Sequence, residues 1–145
     1  MTLTVMCGVP NAGKTTKATA LAEETGATRI SVDDYRHYIR YDGKPMTVID
    51  AALTDAREAL ERGEDVIFDN VNSNAHARRH VLDMCRMDGL RTVCIYMDTP
   101  VETCLERAHG SWPAAFYAHK VTRPTEDEGF DEIIICTDGR GTEAE

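Results

Sequence analysis

The stretch from Gly8 to Thr15 reads GVPNAGKT, with two glycines five residues apart and a lysine and a hydroxyl directly after the second. This is the spacing of a phosphate cradle, G-x-x-x-x-G-K-S/T. Gly8 and Gly13 open backbone conformations closed to other residues. The loop can then turn several N–H groups inward, at the start of a helix, onto phosphate oxygens. Lys14 would set a cation on the β- and γ-phosphates, and the Thr15 hydroxyl would ligate Mg²⁺. Asn11, Ala12 and Thr16 complete the expected nucleotide-binding set. The expectation is a nucleoside triphosphate, ATP foremost, with Mg²⁺.

A second stretch, SVDDYRHYIR at 31–40, places Asp33 and Asp34 side by side with Arg36 close behind. What kind of nucleotide chemistry the chain performs turns on this pair. A GTPase would carry an N-K-x-D motif to read its base, and the chain has none. A mechanical ATPase usually follows its third strand with an acidic pair, whereas here VIFD ends in Asp69 and continues with Asn70. A kinase needs a carboxylate near the γ-phosphate to take the proton of an acceptor hydroxyl. Asp33 follows a strand beside the P-loop and is the candidate. Capping a short helix is its plainer alternative. Asp34 reads as a surface or capping residue. Arg36 could pair with Asp33 one turn away, but ligand binding is favoured. Asp69 stands where strand ends of a parallel sheet form the ligand crevice.

Alternating strands and helices must position these groups. LTVMCG (3–8) reads as a buried strand, and the helix after the loop closes at Gly26. ATRIS (27–31) is a second strand. YDGKP (41–45) is a turn, and the segment from 46 to Gly63 carries Val48, Ile49, Ala52, Leu53, Ala56, Ala59 and Leu60 at helical spacing. DVIFDN (65–70) is a third strand, followed by a helix capped by Asn74 and ended before Gly89. LRTVCIYMD (90–98) is a fourth strand. The helix after it is expected to use Thr99 as N-cap, Pro100 at its first position and Glu102 in a capping box. DEIIIC (131–136) is a fifth strand. Continuous apolar strands alternating with helices predict an α/β fold, a parallel sheet covered on both faces. The expected organisation is one domain over 1–137, with a short lid around 106–123, and a polar acidic tail over 138–145.

The bulk properties agree. The chain has 145 residues, 42% hydrophobic and 28% charged, which is enough for one core. No apolar run reaches the length of a membrane span, and the N-terminus lacks the pattern of a signal peptide, so a cytoplasmic protein with no membrane partner is expected. Five cysteines, with no C-x-x-C pair, read as buried free thiols. A net charge of −9 argues against coating nucleic acid by bulk electrostatics, yet leaves room for a local basic pocket. Arg29, Arg36, Arg40 and Lys44 form one basic cluster, and Arg78, Arg79 and His80 another. Taken singly, most read as solvated surface charge. Trp112, Phe116 and Tyr117 read either as a base-stacking group or as a small packing cluster.

The chain resembles the P-loop 5′-hydroxyl polynucleotide kinases, the kinase domain of phage and bacterial end-healing enzymes. Four segments carry the likeness: CGVPNAGKTT, DDYR, FDNVNSNAHARR and RPTEDEGFDEIIIC. They run from the first strand to the last. The resemblance implies a P-loop kinase-like, three-layer fold with a five-stranded parallel sheet in the order 2-3-1-4-5. It implies that Asp33 is the general base and that Arg36 contacts the acceptor-strand phosphate. Asp69 and Asn72 would line the acceptor side, supported by Arg78 or Arg79. The implied substrate is the 5′ end of a nucleic acid. The lid departs from the family pattern, which carries two or more arginines reaching the transferring phosphate. Here Arg107 comes early, Lys120 and Arg123 come late, and the second lid arginine is missing. A kinase acting on another acceptor (a hydroxymethylated base in DNA, a nucleotide sugar or a small metabolite) and an ATP-binding module without turnover are the alternatives.

Overall fold

The computed structural model describes residues 1–38 and 45–137, and within them not the side chains of 36–38 and 45–47. Residues 41–44 of the expected turn YDGKP, the basic residues Arg40 and Lys44 and the acidic tail lie outside the described residues, and so does the Arg36 side chain; Pro45 opens a helix.

β1 (Thr2–Cys7) is buried along nearly its whole length, which is why it sits at the middle of the sheet. It pairs in parallel with β3 (Val66–Asp69) on one side and β4 (Arg91–Met97) on the other. β2 (Thr28–Ser31) adds to β3 and β5 (Glu132–Cys136) adds to β4, both in parallel. The order is therefore β2-β3-β1-β4-β5, as expected. The helices are α1 (Lys14–Thr25), α2 (Val32–Tyr38), α3 (Pro45–Glu61), α4 (Ala75–Cys85), α5 (Val101–Ala108) and α6 (Trp112–Tyr117). No described helix is long and apolar enough to cross a membrane.

Alternation along the strands divides the interior in two. Leu3, Val5 and Cys7 of β1, Val66 and Phe68 of β3 and Cys94 of β4 face one layer. There they meet the α3 stripe of Val48, Ala52, Leu53, Ala56, Ala59 and Leu60, and Val81, Leu82 and Cys85 of α4. Met6, Ile67, Ile95 and Met97 face the opposite layer, with Ala18 of α1 and Cys104 of α5. Each fully buried Leu, Val or Phe contributes roughly 1.5–3 kcal/mol. All five cysteines are buried and unbridged, and burial pushes the Cys85 thiol up to about 11 and that of Cys94 to about 12.

One local expectation is corrected. Pro100, not Thr99, is the residue before α5, and no side chain caps that helix. The Thr99 hydroxyl instead donates to the carbonyl of Ala12 at 2.7 Å. A buried tertiary bond to the phosphate loop outcompetes a local cap that solvent could replace. Asn74 does cap α4, accepting from the N–H of Ala77 at 2.8 Å. The lid stretch contains a helix of its own, α6, which the sequence pattern leaves unseen.

Candidate active site

The strand ends converge on one cleft of about 1030 Å³. The loop between β1 and α1 forms its floor. Gly8 has a φ of 153°, and a Cβ there would stand 3.1 Å from Cβ of Met97, so no other residue fits without displacing β4. Its N–H donates to the Val71 carbonyl at 3.1 Å, which ties the loop to the end of β3. Gly13, at φ 105°, turns the chain into α1. Asn11, Gly13, Lys14, Thr15 and Thr16 line the cleft, while Gly8 and Ala12 hold the loop from behind.

Lys14 is almost wholly buried, and its ammonium donates to the carbonyls of Gly8 (2.9 Å) and Val9 (3.1 Å). Burial lowers its pKa, and Asp69 is the largest influence in the other direction. Arg107, in the last turn of α5, reaches across the loop and donates from Nη1 to the Asn11 carbonyl at 3.2 Å. The first lid arginine therefore borders the same cleft as Lys14.

Asp33 and Asp69 enter from the ends of neighbouring strands, Asp69 as the last residue of β3 and Asp33 in the helix that follows β2. Ser31, the last residue of β2, stands in register with Asp69, the last of β3. Asp33 follows in the first turn of α2 and lines the cleft. Asp34 is exposed and is not part of the cleft lining. Asp69 is buried and held by Arg29, whose Nε and Nη2 donate to one carboxylate oxygen at 3.0 and 2.7 Å. Arg29 is thus a partner of the site rather than a solvated charge. The signal was in the register: Arg29 and Asp69 lie on the same face of adjacent strands, a fact visible only once β2 is paired with β3.

Two expected acceptor-side residues lie elsewhere. Asn72, at φ 48°, is buried and donates from Nδ2 to the Met6 carbonyl at 2.6 Å, bracing the turn after β3 against β1. Arg79 is exposed, pairs with Asp83 at 3.1 Å and is not part of the cleft lining. Arg78 is fully buried. Its guanidinium donates to the carbonyls of Asn72 (3.0 Å) and Thr122 (2.9 Å) and to both oxygens of Glu128. It fastens the turn after β3 to the segment that returns from the lid. Glu128 closes a 3-10 turn (Glu126–Glu128) with a capping box to Thr125. The PTEDEG segment is thereby a structural counterpart of Arg78.

A family model described as an AAA domain, AAA_33, matches residues 3–111. The chain belongs to this AAA domain family. No curated protein matches the chain significantly. Among solved structures it is similar to a sugar kinase from Janibacter sp. HTCC2649, at 17% identity and a TM-score of 0.70, over 97% of this chain and 86% of that one. It is similar to Kti12 of Chaetomium thermophilum in complex with ADP-AlF3, at 17% identity and a TM-score of 0.70, over 92% and 87% of the two chains. It also resembles a chain of a Pnkp1/Rnl/Hen1 complex at 19% identity and a TM-score of 0.66, covering 90% of this chain but 43% of that one. At these identities the likeness shows the fold alone, a five-stranded parallel sheet of P-loop kinase-like order.

Proposed function

We propose that the protein is an ATP-dependent phosphotransferase that moves the γ-phosphate to a hydroxyl, foremost the 5′-OH of a DNA or RNA end. The observation that carries this reading is the placement of Asp33 on the lining of the cleft whose floor is the phosphate loop. A carboxylate there can accept the proton of an attacking hydroxyl. The acceptor oxygen bonds to the γ-phosphorus, the bond to the β-phosphate oxygen breaks, and ADP leaves. Lys14 and Arg107 bring positive charge to the transferring group from two sides of the loop. Arg36 is assigned to a phosphate of the acceptor strand, and Asp69, fixed by Arg29, borders the acceptor space.

Thr15 presents a hydroxyl in the cleft, with the carboxylates of Asp33 and Asp69 on the same lining. This donor set fits a hard cation carried in on nucleotide phosphates. Thr15 would hold Mg²⁺, which when bound neutralises charge on the β- and γ-phosphate oxygens.

Incubation with γ-labelled ATP and 5′-OH oligonucleotides of DNA and RNA tests the reading. Label at the 5′ end is the expected result. Label passing instead to a hydroxymethylated base, a nucleotide sugar or a small metabolite would keep the kinase and replace the acceptor. Nucleotide binding without transfer to any of them would make the protein an ATP-binding module.

A further inference from the structure

The cleft has one wall that the phosphate chemistry does not use. Trp112, Pro113 and Tyr117, all from α6, line it together with the loop. α6 buries Ala114, and Ala118 just after it is buried too, whereas Trp112 and Phe116, four residues apart, are exposed. Trp112 is 71% exposed. Single exposed apolar residues are ordinary. This one lines the cleft that holds the phosphate loop and packs against its neighbour. Its ring packs edge-to-face on Phe116 at 6.1 Å and 74°, and Phe116 packs on Tyr117 at 5.0 Å and 88°. The Lys120 ammonium lies 4.3 Å from the Phe116 ring centroid. Such contacts fix ring planes and bring positive charge beside them.

We infer that Trp112 is a stacking platform for a nucleobase of the acceptor, a specificity element for single-stranded ends. The inference rests on the proposed phosphotransfer at this cleft. The position of α6 favours the acceptor over the donor base. The chain leaving α6 is anchored to the turn after β3, where the Thr122 N–H donates to the Ser73 carbonyl at 2.7 Å. Asn70 and Val71 of the same turn line the cleft beside Asp69 and Asp33. The aromatic residues and the candidate base thus share one cleft lining. An exposed aromatic face on a cleft lining is the kind of surface on which proteins stack single-stranded bases, with little regard to sequence.

Trp112 is the single tryptophan of the chain, so its emission reports on this wall alone. The intact protein would be titrated with a 5′-OH oligothymidylate, an abasic oligonucleotide of equal length, and ADP. Quenching by the oligothymidylate and none by the other two is expected. An equal response to the abasic strand, a response to ADP alone, or no response would overturn the inference. In transfer kinetics, Trp112→Ala should raise the oligonucleotide KM by about 10-fold with the KM for ATP and kcat little changed, and Trp112→Phe should restore most of the loss. An unaltered oligonucleotide KM in Trp112→Ala overturns it. Quenching by the oligothymidylate without any transfer would uphold the stacking wall and refute the phosphotransfer. Transfer with a silent Trp112 would do the reverse.

Discussion

Arg78 and Glu128 form a two-point ion pair in the interior, Nε to Oε1 at 2.6 Å and Nη2 to Oε2 at 2.8 Å. Arg78 is 0% exposed and Glu128 8%. The pair joins α4 to the segment before β5, fifty positions along the chain. Removing one partner leaves a charge in a poorly solvated place. Arg78→Ala and Glu128→Ala should each cost about 3–5 kcal/mol of stability, read by urea unfolding. A loss below about 1 kcal/mol would mean that the charge finds water.

The same pair makes stability depend on acid. The Arg78 hydrogen bond, opposed by burial, holds the Glu128 carboxyl below its usual 4.5. A lowered folded pKa gives stability that is present above the unfolded value and lost as pH falls through the folded one. Wild type should therefore exceed Glu128→Gln most near neutrality, and the gap should narrow as pH falls past the ordinary glutamate value and through the lowered folded one. Parallel thermal melts across that range check it. A gap that holds constant into acid would remove Glu128 as its source.

Arg29 and Asp69 make a second coupling, this time at the cleft. Arg29→Ala leaves a buried carboxylate without its guanidinium, and Asp69→Asn removes the charge that Arg29 balances. The double substitution should be milder than the sum of the singles, with a coupling of about 0.5–3 kcal/mol. A double-mutant cycle by denaturant unfolding measures this directly. Strict additivity would reduce the contact to a surface pairing of no consequence.

How far the sequence carried the fold and the site follows from the range of the interactions involved. The phosphate loop was legible because Gly8, Gly13, Lys14 and Thr15 act within eight residues, by local backbone rules. Strand and helix identity was legible because β1 and α3 write their burial into periodicity. The sheet order came with the family resemblance, not from periodicity. Arg29, Arg78 and Thr99 were misread for one reason: their partners lie 40, 50 and 87 positions away. A paired arginine and a solvated arginine look alike until strand register brings the carboxylate alongside. The family resemblance alone places Asn72 on the acceptor side, yet it has a left-handed backbone and its amide donates back onto β1. Trp112, Phe116 and Tyr117 were legible as a group, but the helix that carries them was not, because six residues are too few to show a period.

The two adjacent carboxylates of α2 separate in placement. Asp33 lines the cleft with Lys14 and Asp69, and Asp34 stands outside it. One helical step of about 100° separates successive side chains, so only one of the two can face the phosphate loop. Asp33→Ala should lower the transfer rate by about 10²–10⁴-fold, the usual contribution of a positioned base. ATP affinity should stay nearly intact, because the loop amides and Lys14 hold the nucleotide. Asp34→Ala should transfer at close to the wild-type rate. Single-turnover transfer with labelled ATP, alongside nucleotide titration, separates the two effects. An active Asp33→Ala protein would take the base away from α2, and equal losses in both variants would make the pair a structural feature of the helix start.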